Sequence, residues 1–276
     1  MAETTVADLL ERKTLERIAK LDASLDGVVG VAAIDLTTGR VTAYHADEVF
    51  PTASTIKVPI MIQLFRAVRL GEVKLSDSIP VTVKELVDES PTVEKAAKGP
   101  GRITVRELLE AMIQISDNAA TNKLIELLGM SKVNRAMDEF GFLQTRLRRR
   151  MIDLAAAARN EENVSTPLEM ARIMEMIYRG KAVDENASRE MLDVMAGTRA
   201  DIRTAIPEGI RVASKPGSLD GVKCEVAVVF LEKRPFVVSV YSTYLKGDRN
   251  VVRDVAAILF DHFSRLEKAN RYGRGL

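Results

Sequence analysis

The chain has 276 residues, 46% of them hydrophobic and 29% charged, enough to bury a sizeable core in one large domain or two smaller ones. Forty basic residues against thirty-nine acidic ones leave a formal charge of +1, which excludes a strong field for nucleic acid or an anionic membrane surface. One cysteine, Cys224, excludes an internal disulfide, and with only His45 and His262 beside it a zinc cluster has too few ligands, so metal-free, cofactor-free chemistry is expected.

The opening MAETTVADLLERK lacks a basic segment followed by an apolar run, and no apolar stretch reaches about 18 residues, so neither a signal peptide nor a membrane span is expected. Location stays open between the cytoplasm and, for a chain whose leader has been removed, the periplasm or the exterior. A helix is expected over residues 6 to 22. GVVGVAAIDL and RVTAYHA then read as strands joined by the turn TTGR, where Gly39 supplies a positive φ.

From Ser54 to about Ala196 the pattern turns helical. Thr104 and Glu107 form a capping box ahead of VRELLEAMIQI, and Thr166, Pro167 and Glu169 start PLEMARIMEMIYRG, which Gly180 ends. Strands return at RVASKPG, VKCEVAVVFLE and PFVVSVYSTY, and a helix from about Val251 to Lys268 closes the chain. The expected fold is α/β plus α: an antiparallel sheet of about five strands from residues 1–50 and 198–276, flanked by helices, with an all-helical domain inserted at residues 51–197. A cleft is expected between the two parts, and the protein is expected to be a monomer.

His45 falls in an expected strand and His262 in the last helix, both read as surface or boundary positions, so a serine nucleophile here needs a base other than histidine. In FPTASTIKVPIMIQLF, Ser54 sits at an expected helix start and Lys57 one turn on, which puts both side chains on one face. An N-cap serine followed by a surface lysine has the same pattern. In QISDNAATN, Ser116 and Asn118 lie in a helix-to-helix turn that can present a hydroxyl and an amide to a cleft, and the same residues are good N-caps. In ASKPGSLDG, Lys215 ends a strand ahead of Gly217 and Ser218, where a cation and backbone N–H groups can meet a carboxylate, or where a solvated strand simply turns.

The three motifs in this order resemble the penicillin-recognising serine enzymes, and the chain is similar to the class A β-lactamases from about Leu25 to Arg265. Further segments carry the likeness: LVDESPTVEK, ITVRELLEAMIQISDNAATNKLIELLG, TRLRRR, IPEGIRVASKPGSLDGVK and VAVVF. The resemblance implies Ser54 as the acylated nucleophile, Lys57 as its base, and Ser116 as the proton relay to the leaving nitrogen. It implies substrate binding by Asn118, Lys215, Gly217 and Ser218, with the backbone N–H groups of Ser54 and Ser218 forming the oxyanion hole. The implied partner is a small β-lactam or a peptidyl acyl donor.

The pattern also departs from that family. Counting from Thr145, Met151 holds the position of the glutamate that activates the deacylating water, and Ala155 that of the asparagine beside it. Pro216 replaces a threonine or serine, Glu89 an aromatic residue at the cleft mouth, and Asn163 an aspartate that pairs with Arg149. The side chain of Met151 is expected to face Ser54. Asp153, Glu161 and Glu162 are the nearby carboxylates that could replace the missing base. The expected activity is a serine hydrolase that acylates with β-lactams and deacylates slowly; the alternative is a penicillin-binding peptidase or esterase for another acyl donor.

Overall fold

The computed structural model describes residues 5–275. In chain order the elements are α1 (Val6–Asp22), β1 (Val28–Asp35), β2 (Val41–Tyr44), β3 (Phe50–Pro51), α2 (Lys57–Arg69) and β4 (Ser78–Pro80). There follow α3 (Pro91–Lys98), β5 (Arg102–Thr104), α4 (Val105–Gln114), α5 (Asn118–Leu128), α6 (Met130–Glu139), α7 (Leu154–Ala158) and β6 (Val164–Ser165). The chain ends with α8 (Pro167–Tyr178), α9 (Glu185–Ala196), β7 (Val212–Leu219), β8 (Val222–Val229), β9 (Phe236–Thr243) and α10 (Val251–Glu267).

Five strands form one antiparallel sheet in the order β2-β1-β9-β8-β7, so strands from both ends of the chain meet where β1 pairs with β9. The period-2 alternation of β1 decides what each face covers. Val29, Val31 and Ala33 join Ile18 of α1 and Val255 and Phe263 of α10 in one apolar core. Ala32 and Ile34 face the other way, into a larger core that takes in Met174 of α8 and runs on through Ile60 of α2 and Leu108 of α4. Each such aliphatic side chain contributes about 1.5–3 kcal/mol when fully buried. No helix of the described residues is long and apolar enough to cross a membrane.

The expected capping signals act locally. Thr104 accepts from the backbone of Glu107 and caps α4, Thr166 does the same with Glu169 at α8, and Gly39 takes a φ of 77° in the β1–β2 turn. Three expectations are corrected. The segment between the sheet strands is not all helical, since β3 pairs with β6 and β4 with β5 in ladders too short to leave a periodic pattern. Ser54 is not at the start of an α-helix; it lies in a 3-10 turn, Ala53–Ile56, and α2 begins at Lys57. His262 is buried, with Nδ1 3.0 Å from the Thr14 hydroxyl under α1, and burial holds its pKa below the usual histidine value. A hollow of about 970 Å³ lies on that side, between α1, α10 and the C-terminal segment; Leu10, Arg40, His262 and Arg271 line it, and no residue of the three motifs does.

Candidate active site

Ser54, Ser116, Gly217 and Ser218 line a single cleft of about 250 Å³, together with Glu89, Asp201 and Lys223. Three turns that come together here hold a non-glycine residue in the left-handed region: Ala53 at φ 43°, Glu89 at 58° and Ser116 at 62°. Each costs about 1–2 kcal/mol for an L-residue, so the surroundings must hold it. At the first turn the hold is visible. Thr52 donates through N and Oγ1 to the Asn163 carbonyl at 2.9 and 3.1 Å, and Thr55 Oγ1 donates to the Thr52 carbonyl at 2.7 Å while lying 2.6 Å from the Tyr241 hydroxyl. Cys224 Sγ adds a bond to the Thr52 carbonyl at 3.1 Å.

Ser54 itself is half-buried and points no hydrogen bond at the rest of the described protein, which leaves its hydroxyl to the cleft. β7 approaches it closely because residue 217 has no side chain. A Cβ there would stand 2.8 Å from the Ser54 nitrogen and 2.8 Å from Cys224 Sγ, so only glycine lets the strand run this near the serine. Lys215, Gly217 and Ser218 all sit on β7, whose register sets Lys215 opposite Val226 and Gly217 opposite Cys224.

Lys57 is fully buried and donates to the Ser116 carbonyl at 2.8 Å, to Ser116 Oγ at 2.8 Å and to Asn118 Oδ1 at 2.9 Å. Lys215 Nζ reaches the same Ser116 hydroxyl at 3.1 Å and the Pro216 carbonyl at 3.1 Å. Ser116 Oγ is thus held between two lysine amines. Burial first, and then the charge of Lys215, push Lys57 well below the ordinary lysine range, against the pull of Asp117 and Glu89. Burial alone takes Lys215 down to about 8, with Cys224 and Glu225 opposing it. A lysine lowered in this way gives up its proton more readily than a free one and, once neutral, can accept one.

Asp117 shapes the middle motif. One of its carboxylate oxygens caps α5 by accepting from Ala120 N at 2.8 Å, and the other accepts from Thr92 N and Val93 N at 2.9 and 3.2 Å. The loop that carries Glu89 is therefore bolted to the N-terminus of α5. Sequence reasoning missed Asn122, one helical turn past Asn118 on the same face. Its amide brackets Met151, accepting from Met151 N at 2.8 Å and donating to Met151 O at 3.1 Å. The i, i+4 spacing of two asparagines facing one way was the available signal.

Segment 145–163 is pinned at its ends. Arg149 is buried and pairs with Glu162 at 2.8 Å, while Asn163 Oδ1 accepts from Arg148 N and Arg149 N at 2.7 and 3.0 Å. Glu162 therefore supplies the charge that an aspartate at residue 163 would have brought. The three carboxylates expected as stand-in bases are all engaged elsewhere. Asp153 caps α7 through Ala156 N at 2.9 Å, Glu161 pairs with Arg159 at 2.9 Å, and Glu162 holds Arg149. Met151 differs from expectation too: its apolar side chain is buried in the larger core and is not among the residues that line the cleft.

A family model described as the β-lactamase enzyme family matches residues 13–263. The β-lactamase ROB-1 of Haemophilus influenzae is 32% identical over 89% of this chain and 83% of its own, and the β-lactamase CTX-M-8 of Citrobacter amalonaticus 31% identical over 88% and 85%. Among solved structures, the ancestral class A β-lactamase of Gram-negative bacteria superposes with a TM-score of 0.85 at 31% identity, covering 91% of this chain and all of that one. A β-lactamase from Sphaerobacter thermophilus superposes with a TM-score of 0.82 at 28% identity, over 93% and 97%. With the class A fold and a match along nearly its whole length, the chain belongs to the β-lactamase enzyme family.

Proposed function

We propose that this serine hydrolase opens β-lactams by acylating Ser54 and releases the acyl group slowly. The supporting observation is the chain Lys57 Nζ, Ser116 Oγ, Lys215 Nζ, with links of 2.8 and 3.1 Å, centred on a Ser116 that lines the same cleft as Ser54. In this reading Ser54 Oγ attacks the lactam carbonyl carbon and gives its proton to neutral Lys57. Ser116 passes that proton to the ring nitrogen as the carbon–nitrogen bond breaks. The backbone N–H groups of Ser54 and Ser218 receive the oxyanion, Asn118 holds the substrate's side-chain amide, and the Lys215 ammonium draws its carboxylate. Slow release follows from the absence of a carboxylate at residue 151 and from the engagement of Asp153, Glu161 and Glu162.

Intact-protein mass followed over time after mixing with a penicillin tests this. The expected record is one penicillin mass added and retained. An adduct that forms and vanishes within the mixing time would overturn slow release, and no adduct would favour a peptidase or esterase acting on another acyl donor.

A pH dependence follows from Lys215. Because its pKa in the folded protein is lowered to about 8, it loses its charge at a lower pH than a free lysine does. The second-order rate constant for acylation should therefore fall as pH rises through about 8. In Lys215→Arg the charge persists, since a guanidinium stays protonated to about pH 12, and the falling limb should disappear. Stopped-flow acylation across that range, in both proteins, is the measurement; an unchanged limb in the variant would assign the titration to another group.

A further inference from the structure

The acylation scheme leaves Glu89 unused. Glu89 is exposed, lines the cleft with Ser54 and Ser116, and finds a single partner for its carboxylate among the described residues, the Asn118 Nδ2 at 3.5 Å. No lysine or arginine pairs with it there. Its position is fixed: the Glu89 carbonyl accepts from Asn118 N at 3.1 Å, Ser90 Oγ accepts from Ala119 N at 2.9 Å, and Thr92 N and Val93 N bind Asp117. The φ of 58° at Glu89 turns the chain at this point, and the bonds on either side keep it turned.

The remaining charges of the cleft are arranged unequally. Asp201 and Lys223 come from the sheet side, where Asp201 N donates to Glu225 of β8 and Lys223 belongs to β8 itself, so that side brings one charge of each sign. Lys57 and Lys215 are fully buried, and both reach the hydroxyl of Ser116, which lines the cleft. A donor whose carboxylate goes to Lys215 and whose amide goes to Asn118 therefore extends its acyl side chain towards Glu89, the carboxylate on the helical side that forms no ion pair among the described residues.

We propose that Glu89 makes this cleft select acyl donors carrying a cationic acyl side chain, so that the preferred substrate is zwitterionic, with its carboxylate at Lys215 and its cation at Glu89. This rests on the acyl-transfer reading above and names the substrate class of the same site. A side-chain ammonium beside Glu89 gains attraction and a carboxylate meets repulsion, each screened by the solvent that reaches the cleft mouth.

Three penicillins that differ only at the α-carbon of the side chain separate the outcomes: ampicillin with an ammonium, benzylpenicillin with hydrogen, and carbenicillin with a carboxylate. Second-order acylation constants are measured for the native protein, Glu89→Gln and Glu89→Asp, at a pH where the amine is protonated, in low and high salt. The native ratio of ampicillin to carbenicillin should exceed that of Glu89→Gln by about tenfold, an effect of the size expected for charges near a protein surface. Glu89→Asp should keep part of it, and high salt should shrink it in the native protein alone. Equal ratios in the native protein and Glu89→Gln, or a difference indifferent to salt, would overturn the assignment while leaving acyl transfer intact. Failure of all three penicillins to label Ser54 in the native protein would remove the acyl-transfer reading and the selectivity with it.

Discussion

Ser54→Ala is expected to abolish covalent labelling by a penicillin and to lower hydrolysis by a factor on the order of 10⁶, the size seen when a serine hydrolase loses its nucleophile. Its melting temperature should scarcely move. The Ser54 hydroxyl is half-exposed and bonds no other described residue, so removing it strands no buried donor or acceptor. Surface-like substitutions of this kind stay within about 0.5 kcal/mol. The contrast matters because neighbouring groups lack this independence: Ser116 Oγ receives both Lys57 and Lys215, and its loss would leave two buried lysine amines short of a partner. Intact mass and thermal unfolding on the same sample decide the point. A persistent adduct on the alanine variant would place the nucleophile elsewhere, and a collapse in melting temperature would mean that Ser54 has a structural part.

How much of this was legible before the structure depended on whether a feature was set locally. The start of α4 is written in Thr104 and Glu107, three residues apart, and that boundary carries Ser116 to the end of the helix. The alternation in β1 likewise assigns Val31 and Ala32 to opposite cores without outside help. The 3-10 turn at Ser54 was not legible. Nothing in TASTIK demands a positive φ at Ala53; the demand comes from Asn163, Tyr241 and Cys224, more than a hundred residues away. The burial of His262 depends in the same way on Thr14 arriving from α1. In the candidate site, residue types and order were readable from three short motifs. The clamp of Asn122 on Met151 was not, because it needs the path of segment 145–163 to be known.

That clamp sharpens the expectation for residue 151. Asn122 binds the backbone of Met151 on both sides, and lies one turn from Asn118, which touches Lys57. The main chain at 151 is therefore held beside the candidate site whatever side chain it carries. Methionine uses that place for packing: it is 7% exposed and joins the apolar core, while Ile152 behind it takes a φ of 60°, unusual for a β-branched residue. A glutamate at 151 would not remain in that core, because an unpaired carboxylate there costs several kcal/mol, and the nearest relief is the polar cleft. Two effects of opposite sign should result from Met151→Glu combined with Ala155→Asn. Stability should fall, through lost packing and partial burial of a charge, by about 2–4 kcal/mol. Release of the acyl group should quicken by about 10²- to 10⁴-fold, the usual worth of a positioned general base. Burst amplitude and steady-state rate with a penicillin, measured below the lowered melting temperature, separate the two. If the folded variant acylates at the native rate and still retains its adduct, the missing carboxylate is not what slows release. The water would then be excluded by the path of the segment itself, as Arg149, Glu162 and Asn163 hold it.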